Sequence, residues 1–435
     1  MGNVEVTLVV IGLLFTFMAI GLPIFVTLGV SSMVGIILYQ GVGGLSAVTG
    51  VMYDRMSTFT LVAVPLFILM GEIIFASGLG SDIYRAIRIS LRKIRGSLAL
   101  ASVAACTVFG AMCGVSLAGA ATIGKFAIPE MLKAGYDKHV ATGVVASAGS
   151  LALLIPPSVG LILYGLVAGE SVGTLFIAAI IPGIIIAIMM GAYIVIYGWF
   201  KPESMPSVNV EELEKEAGEA GNPWLVTLPA LFLVAAVLGS IYFGIATPTE
   251  SAAIGCLGSL IIAAMKKKLD WATLRHIVRQ SVYTSGMILA ILSSALVFGY
   301  LLTRLRLPQE LVGWITEQGF SEITVLFAIF IILIIMGMFL DVVSVILIAT
   351  PLLLPIIKTF QYDPIWFGIV MAIVTEMAVI TPPVGLNLFV IKGLSPSNVS
   401  LMTVARGSMP FFFILALAVV IFTVFPQLIL WLPFA

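Results

Sequence analysis

The chain reads as a succession of long apolar runs separated by short polar stops. Apolar spans lie near 5–20, 23–40, 58–79, 97–118, 140–168 and 174–199, and a second set near 224–243, 248–265, 281–302, 323–357, 364–392 and 407–430. Most approach the length, roughly 20 residues, that carries a helix through a hydrocarbon core. Two of the runs contain adjacent prolines: Ser147 to Gly160 around Pro156-Pro157, and Thr375 to Gly385 around Pro382-Pro383. Proline removes a backbone donor and crowds the preceding turn, so a helix cannot pass through such a pair uninterrupted. The pattern predicts an all-α polytopic membrane protein with two broken helices. Irregular backbone at membrane depth survives only where protein or a wet cavity surrounds it, so each break is either a structural kink or a binding site.

The second set of spans repeats the first. Laying Pro156 on Pro382 places Pro129 on Pro355, Tyr136 on Tyr362 and Asp137 on Asp363, and matches the Gly21-Leu-Pro23 break to Thr247-Pro248-Thr249. Such symmetry, with interruptions in corresponding places, marks transporter folds. The expected organisation is a first repeat over 1–200, a linker over 201–223 and a second repeat over 224–435. The linker carries Glu203, Glu211, Glu212, Glu214, Glu216 and Glu219, a composition that predicts a short solvated helix.

Charge gives the repeats a direction. The segment 81–96 holds Arg85, Arg88, Arg92, Lys93 and Arg95 against Asp82, with the periodicity of an amphipathic helix lying in the interface. The positive-inside rule assigns it to the cytoplasm. Its counterpart, 304–322, sets Arg304 and Arg306 against Glu310, Glu317 and Glu322 and suits the opposite face, so the repeats are expected to be inverted. Lys125, Lys133 and Lys138 return the chain to the basic side, which makes 97 to about 124 a re-entrant hairpin with its tip at Gly110 to Gly119. The matching hairpin spans 323–357, with its tip at Met336 to Ser344, and the broken helices span about 140–168 and 364–392. With this topology both termini and only Arg55, Arg304, Arg306 and Lys358 of 21 Lys and Arg face the outside.

Composition removes other classes. At 435 residues, 61% hydrophobic and 10% charged, with mean hydropathy +1.20, the chain belongs in a lipid bilayer, and no nucleic-acid partner is expected. The zero net charge says nothing of partners, because the location of charges matters here. Cys106, Cys113 and Cys256 form no CxxC pair and read as small packing residues. The first apolar run lacks a basic segment before it, so a cleaved signal peptide is not expected. No enzyme is expected. The run Gly119 to Lys125 nearly spells a phosphate loop, but Phe126 stands where Ser or Thr would hold Mg²⁺, and His139 and His276 form no zinc motif.

Helix ends brought together at mid-membrane would be the chemistry of the chain. Positive N-terminal ends suit an anion and exposed carbonyls suit Na⁺. Ser116, Ser147, Ser150, Ser158, Asp341, Ser344, Thr375, Glu376 and Thr381 add hard oxygens, and Asn387 is a donor to a carboxylate. Each hydroxyl has a plain alternative, a bond to its own helix backbone. An acid at a hairpin tip is a functional candidate by default, yet Asp341 also fits as a helix cap. Glu72 and Glu250 lie nearer span ends, where snorkelling or a structural pair serves as well.

Leu154-Ile-Pro156-Pro157-Ser158, Ile380-Thr381-Pro382-Pro383-Val-Gly385-Leu-Asn387 and the Gly-rich tip at 110–119 resemble the large membrane subunit of tripartite ATP-independent periplasmic (TRAP) transporters. The similarity covers essentially the whole chain, and that family resembles the elevator-type divalent anion/sodium symporters. The resemblance implies an elevator-type transporter of a bacterial inner membrane that imports an organic acid on a Na⁺ gradient, with two or more ions. It implies two partners, a small membrane subunit of about four helices and a periplasmic substrate-binding protein. By position, one Na⁺ site would use Gly110, Cys113, Ser116, Ser150 and Pro156, and another Gly337, Asp341, Ser344, Thr375, Thr381 and Pro382. Substrate contacts would come from Ser116, Ser158, Asp341, Thr381 and Asn387. Dicarboxylates, sialic acid and other organic acids all fit. An autonomous ion-coupled anion symporter of the same architecture is the alternative; a channel would want charge rings along a continuous pore.

Overall fold

Inside a bilayer the backbone has no water to bond, so apolar spans close their hydrogen bonds within helices. The computed structural model describes residues 2–206 and 223–434. Most of the glutamate-rich linker, with the helix expected in it, lies outside the described residues. The first half contains α1 (Asn3–Ala19), α2 (Ile24–Gln40), α3 (Leu45–Met56), α4 (Ala63–Ala76), α5 (Leu79–Ser90), α6 (Ser97–Cys113), α7 (Ser116–Lys133), α8 (Lys138–Leu154), α9 (Val159–Ala168) and α10 (Val172–Phe200). The second half contains α11 (Pro223–Tyr242), α12 (Pro248–Met265), α13 (Trp271–Arg304), α14 (Leu307–Glu317), α15 (Glu322–Phe339), α16 (Val342–Thr359), α17 (Pro364–Val379), α18 (Leu386–Leu394), α19 (Leu401–Val424) and α20 (Gln427–Leu430). No strand occurs among the described residues.

Seven helical segments are long and apolar enough to cross a membrane singly: Phe59–Ala76, α10, α12, α13, α15, α16 and α19. The α8–α9 pair makes an eighth, bent by 43° at its break. Proline does not stop every helix. Pro129 lies inside α7 and Pro355 inside α16, in the second limb of each hairpin; packed membrane helices tolerate such prolines.

The two broken helices form the centre. Every residue of α8 from Ala141 to Leu154 and every residue of α17 from Ile365 to Val379 is buried, as expected of helices apolar on all sides. Asp137 caps α8 by accepting from the His139 amide at 2.8 Å, and Asp363 caps α17 by accepting from the Ile365 amide at 2.7 Å. Both α6 and α7 pack along α8, while α15 and α16 pack on α17. Opposite the hairpin, α19 crosses α8 at a glycine pair: a Cβ on Gly143 would collide with Gly407, and one on Gly407 with the His139 carbonyl. Small residues at such a crossing let two membrane helices approach closely.

The amphipathic helix α5 turns Leu79, Ile83 and Ile87 inward. Its ion pairs reach two different neighbours, Asp82 to Lys266 at the end of α12 and Arg88 to Glu130 on α7. The charged counterpart forms α14, entered through Arg306 at φ +55°.

Several boundaries depart from the hydropathy pattern: α5 ends at Ser90 rather than running to 96, and the last long span is Leu401–Val424 rather than 407–430. The second limb of the first hairpin runs on to Lys133 rather than ending near 124, since Lys125, Pro129 and Glu130 lower hydropathy without ending the helix. Helix α13 begins at Trp271, capped by Asp270 accepting from the Thr273 amide at 2.7 Å, so its first turns carry Arg275, His276 and Arg279. Helix α3 occupies a segment with little apolar signal of its own.

Candidate functional site

Each hairpin tip rests on the break of the helix that follows it. In the first half α6 ends at Cys113, and Gly114 turns the chain in the left-handed region at φ +62°. Val115 is extended, and α7 starts at once. The break opposite is extended at Ile155, passes through a cis Pro156-Pro157 bond and restarts at Ser158, whose hydroxyl oxygen accepts from the Leu161 amide at 3.2 Å. The two irregular segments satisfy each other: the Val159 amide donates to the Gly114 carbonyl at 3.3 Å. Contact is close enough that a Cβ on Gly114 would strike the Pro157 carbonyl, and one on Gly110 would come 2.5 Å from the Ala152 Cα.

The second half builds the same arrangement from different residues. Helix α15 ends at Phe339, Leu340 is extended and Asp341 caps α16. The break runs through a cis Pro382-Pro383 bond to Gly385 at φ +57°, whose amide donates to the Met338 carbonyl at 3.2 Å. A Cβ on Gly337 would lie 2.6 Å from the Ala378 Cβ. Thus Gly110 and Gly114 meet the Ser150 to Ser158 break, Gly337 and Met338 meet the Thr375 to Gly385 break, and Cys113 at the first tip faces Gly71 of α4.

Most candidate hydroxyls are bonded to their own helices. Ser150 donates to the Ser147 carbonyl at 2.6 Å, Thr375 to the Met371 and Ala372 carbonyls at 2.9 Å each, and Thr381 to the Met377 carbonyl at 2.7 Å. Such a bond consumes the hydroxyl hydrogen and leaves oxygen lone pairs for a cation. The Cys113 thiol donates to the Val115 carbonyl at 3.6 Å. The Asp341 carboxylate accepts from the Ser344 amide at 3.1 Å and from the Ser344 hydroxyl, which is the geometry of a helix cap. Pro156 and Pro382 have no side-chain ligand to offer and no backbone N–H to donate, and the Ala378 carbonyl before the second break accepts instead from the Thr381 amide at 3.0 Å.

The two halves are also stitched to each other. Asn387, at the start of α18, donates to the Ala146 carbonyl of α8 at 3.2 Å. The Ser116 hydroxyl, in the first turn of α7, stands beside the Glu376 carboxylate of α17. Tyr164 on α9 donates to the Pro364 carbonyl at 2.5 Å. Glu376 is 2% exposed, and neither carboxylate oxygen has a hydrogen-bond partner. Sequence reasoning had no ground for ranking it above the neighbouring polar residues, because its isolation is produced by tertiary packing. Of the two remaining acids, Glu250 closes a capping box with Thr247. Glu72 follows Gly71, where a Cβ would lie 3.1 Å from the Cys113 Cα, so α4 runs against the first tip.

The profile of the DctM component of the tripartite ATP-independent periplasmic transporters matches residues 11–428. The chain is 33% identical to a C4-dicarboxylate TRAP transporter large permease protein of Vibrio cholerae, covering 97% of this chain and 96% of the relative. It is 34% identical to one of Pseudomonas aeruginosa, covering 94% and 93%. An isethionate TRAP transporter permease protein of Oleidesulfovibrio alaskensis is 32% identical over 90% of this chain and 61% of that longer protein. At the level of fold alone, the chain is similar to the YdaH transporter of Alcanivorax borkumensis, with a TM-score of 0.62 at 12% identity over 89% of this chain and 90% of that one. With broken helices, paired tips and a family match along nearly its full length, the chain belongs to the tripartite ATP-independent periplasmic transporters as a DctM component, a multi-pass permease subunit and not an enzyme.

Proposed function

We propose that the chain imports a small organic acid across a bacterial inner membrane, driven by Na⁺ entering with it. The observation that carries this reading is the pair of tip-to-break contacts, Val159 to Gly114 and Gly385 to Met338. They gather the ends of broken helices into one buried region, with N-terminal amides available to a carboxylate and loosened carbonyls and hydroxyls available to Na⁺. Ser150 and Pro156 would serve one ion with Gly110, Cys113 and Ser116; Thr375, Thr381 and Pro382 would serve another with Gly337, Asp341 and Ser344. Ser158, Thr381 and Asn387 are the polar groups nearest the breaks for the acid.

In this reading the hairpins and broken helices move as one body in an elevator motion, and the halves are inverted repeats with both termini in the periplasm. The matched caps Asp137 and Asp363, the matched prolines inside α7 and α16 and the basic run Arg85 to Arg95, which begins in α5 and continues past its end at Ser90, support that arrangement. The partners are a small membrane subunit and a periplasmic substrate-binding protein. A DctMQ relative covered to 61% by this chain supports a permease completed by a second part. Relatives named for C4-dicarboxylate and for isethionate support a small organic anion as substrate.

The test is reconstitution in proteoliposomes of this chain with a small subunit and a matching binding protein, offered labelled C4-dicarboxylates and other organic acids. Uptake requiring all three components and an inward Na⁺ gradient is the expected result. Uptake by the chain alone would remove the tripartite partners from the account.

A further inference from the structure

The basic run that begins in α5 is only partly used by the chain itself. Asp82 and Arg88 are paired within the bundle, and the Arg92 guanidinium donates to the Ile89 carbonyl at 2.9 Å. Past Ser90, Lys93 and Arg95 are exposed, and among the described residues neither has an ion-pair or hydrogen-bond partner. Two neighbouring cations thus meet no acid.

Packing holds them in a fixed place. A Cβ on Gly96 would lie 3.1 Å from the Ile194 side chain and one on Gly198 3.8 Å from Arg95, so the turn after α5 lies against the last turns of α10. On the α11 side, Trp224 donates from Nε1 to the Ser90 hydroxyl at 3.0 Å. Lys201 follows α10 and reaches back over the Tyr197 ring, 5.7 Å from its centre. Three helix ends therefore bring Lys93, Arg95 and Lys201 to one edge of the bundle. Glu203 is the single acid among the described residues of these segments.

The same edge carries exposed apolar side chains. Trp199 is 71% and Phe200 83% exposed, Ile94 stands between the two cations, and Trp224 is exposed at the start of α11. Exposed apolar rows lead away along both helices, Ile184, Ile188 and Ile196 on α10 and Leu225, Leu228 and Phe232 on α11. A free anion in water would have no use for such surfaces. A ligand with an anionic head and hydrocarbon tails uses both, cations for its phosphate, tryptophans at the level of its ester groups and apolar rows along its chains.

We propose that the turn after α5, the end of α10 and the start of α11 form a binding site for one anionic phospholipid, its phosphodiester met by Lys93, Arg95 and Lys201. The site is independent of which acid is carried and which ion drives it. Native mass spectrometry of the purified full-length chain, titrated in detergent with phosphatidylglycerol or phosphatidylcholine, tests it. The first phosphatidylglycerol should bind more tightly than the first phosphatidylcholine. Lys93→Gln/Arg95→Gln should weaken it roughly thirtyfold, at about fivefold for each cation, and leave phosphatidylcholine unaffected.

Lys267→Gln/Lys268→Gln removes the same charge from the loop after α12 and should change neither affinity. Equal loss in the two double variants would reduce the effect to diffuse surface charge and overturn the proposal. Displacement of the lipid by inorganic phosphate would overturn it too, leaving an anion site with no need of acyl chains. So would unchanged phosphatidylglycerol affinity in Lys93→Gln/Arg95→Gln, and a lowered unfolding temperature alongside it would assign those cations to the acidic linker of the chain.

Discussion

The Gly114 carbonyl accepts from the Val159 amide at 3.3 Å, and a Cβ on Gly114 would strike the neighbouring Pro157 carbonyl. Tip and break are thus in backbone contact, with no side chain between them. Gly114 also sits at φ +62°, where alanine costs about 1–2 kcal/mol before any clash is counted. Gly114→Ala should therefore insert and fold but lose roughly tenfold or more in uptake, since about 1.4 kcal/mol is a factor of ten in population. Transport assays normalised to membrane-inserted protein check this. Unimpaired uptake would show that the tip does not need its place on the break.

Thr381 donates its hydrogen to the Met377 carbonyl at 2.7 Å and keeps its lone pairs beside the second break. Thr381→Val retains shape and removes the oxygen, so it should raise the Na⁺ concentration for half-maximal uptake about tenfold. Thr381→Ser should remain near wild type. Equal Na⁺ dependence in Thr381→Val and wild type would remove Thr381 from the site.

The Gly143–Gly407 crossing should be a stability determinant without a transport role. Neither position has room for a Cβ, so Gly143→Val forces α8 and α19 apart, with overpacking costing about 1–3 kcal/mol. A lower unfolding temperature in detergent is expected, with little protein surviving purification if both glycines are changed.

Asp137 caps α8 outside the membrane span. Partial burial raises its carboxyl, but the His139 amide and ring outweigh that and hold it below the usual carboxylate range. Asp137→Ala should cost about 1 kcal/mol, while Asp137→Asn, an equally good cap, should cost little. Because the folded pKa is depressed, the charge-dependent part of this contribution is present above the unfolded value, near 3.9, and is lost as pH falls through the folded value. Thermal melts of wild type and Asp137→Ala should converge at acid pH.

Much of this architecture is legible in the chain, for reasons particular residues make plain. Adjacent prolines at Pro156 and Pro382 break helices whatever surrounds them, and the basic cluster from Arg85 to Arg95 declares an interfacial helix. Helix α7 beyond residue 124 and the first turns of α13 were hidden by Lys125, Glu130, Arg275 and Arg279, charges that a helix end outside hydrocarbon carries easily. Within the site, the sequence marks oxygens but cannot say which are already bonded. Asp341 drew attention as an acid at a tip, yet its carboxylate is engaged by Ser344. Glu376 looked ordinary, and only packing among α7, α8 and α17 strips it of partners.

The central claim, that helix ends at the two breaks bind Na⁺ and substrate together, is tested most directly by the initial rate of substrate uptake as external Na⁺ is varied in the reconstituted three-component system. A sigmoidal dependence on Na⁺ is predicted, reporting more than one ion per transport cycle, with uptake abolished when the gradient is dissipated. Uptake indifferent to Na⁺, with or without the gradient, would contradict the account.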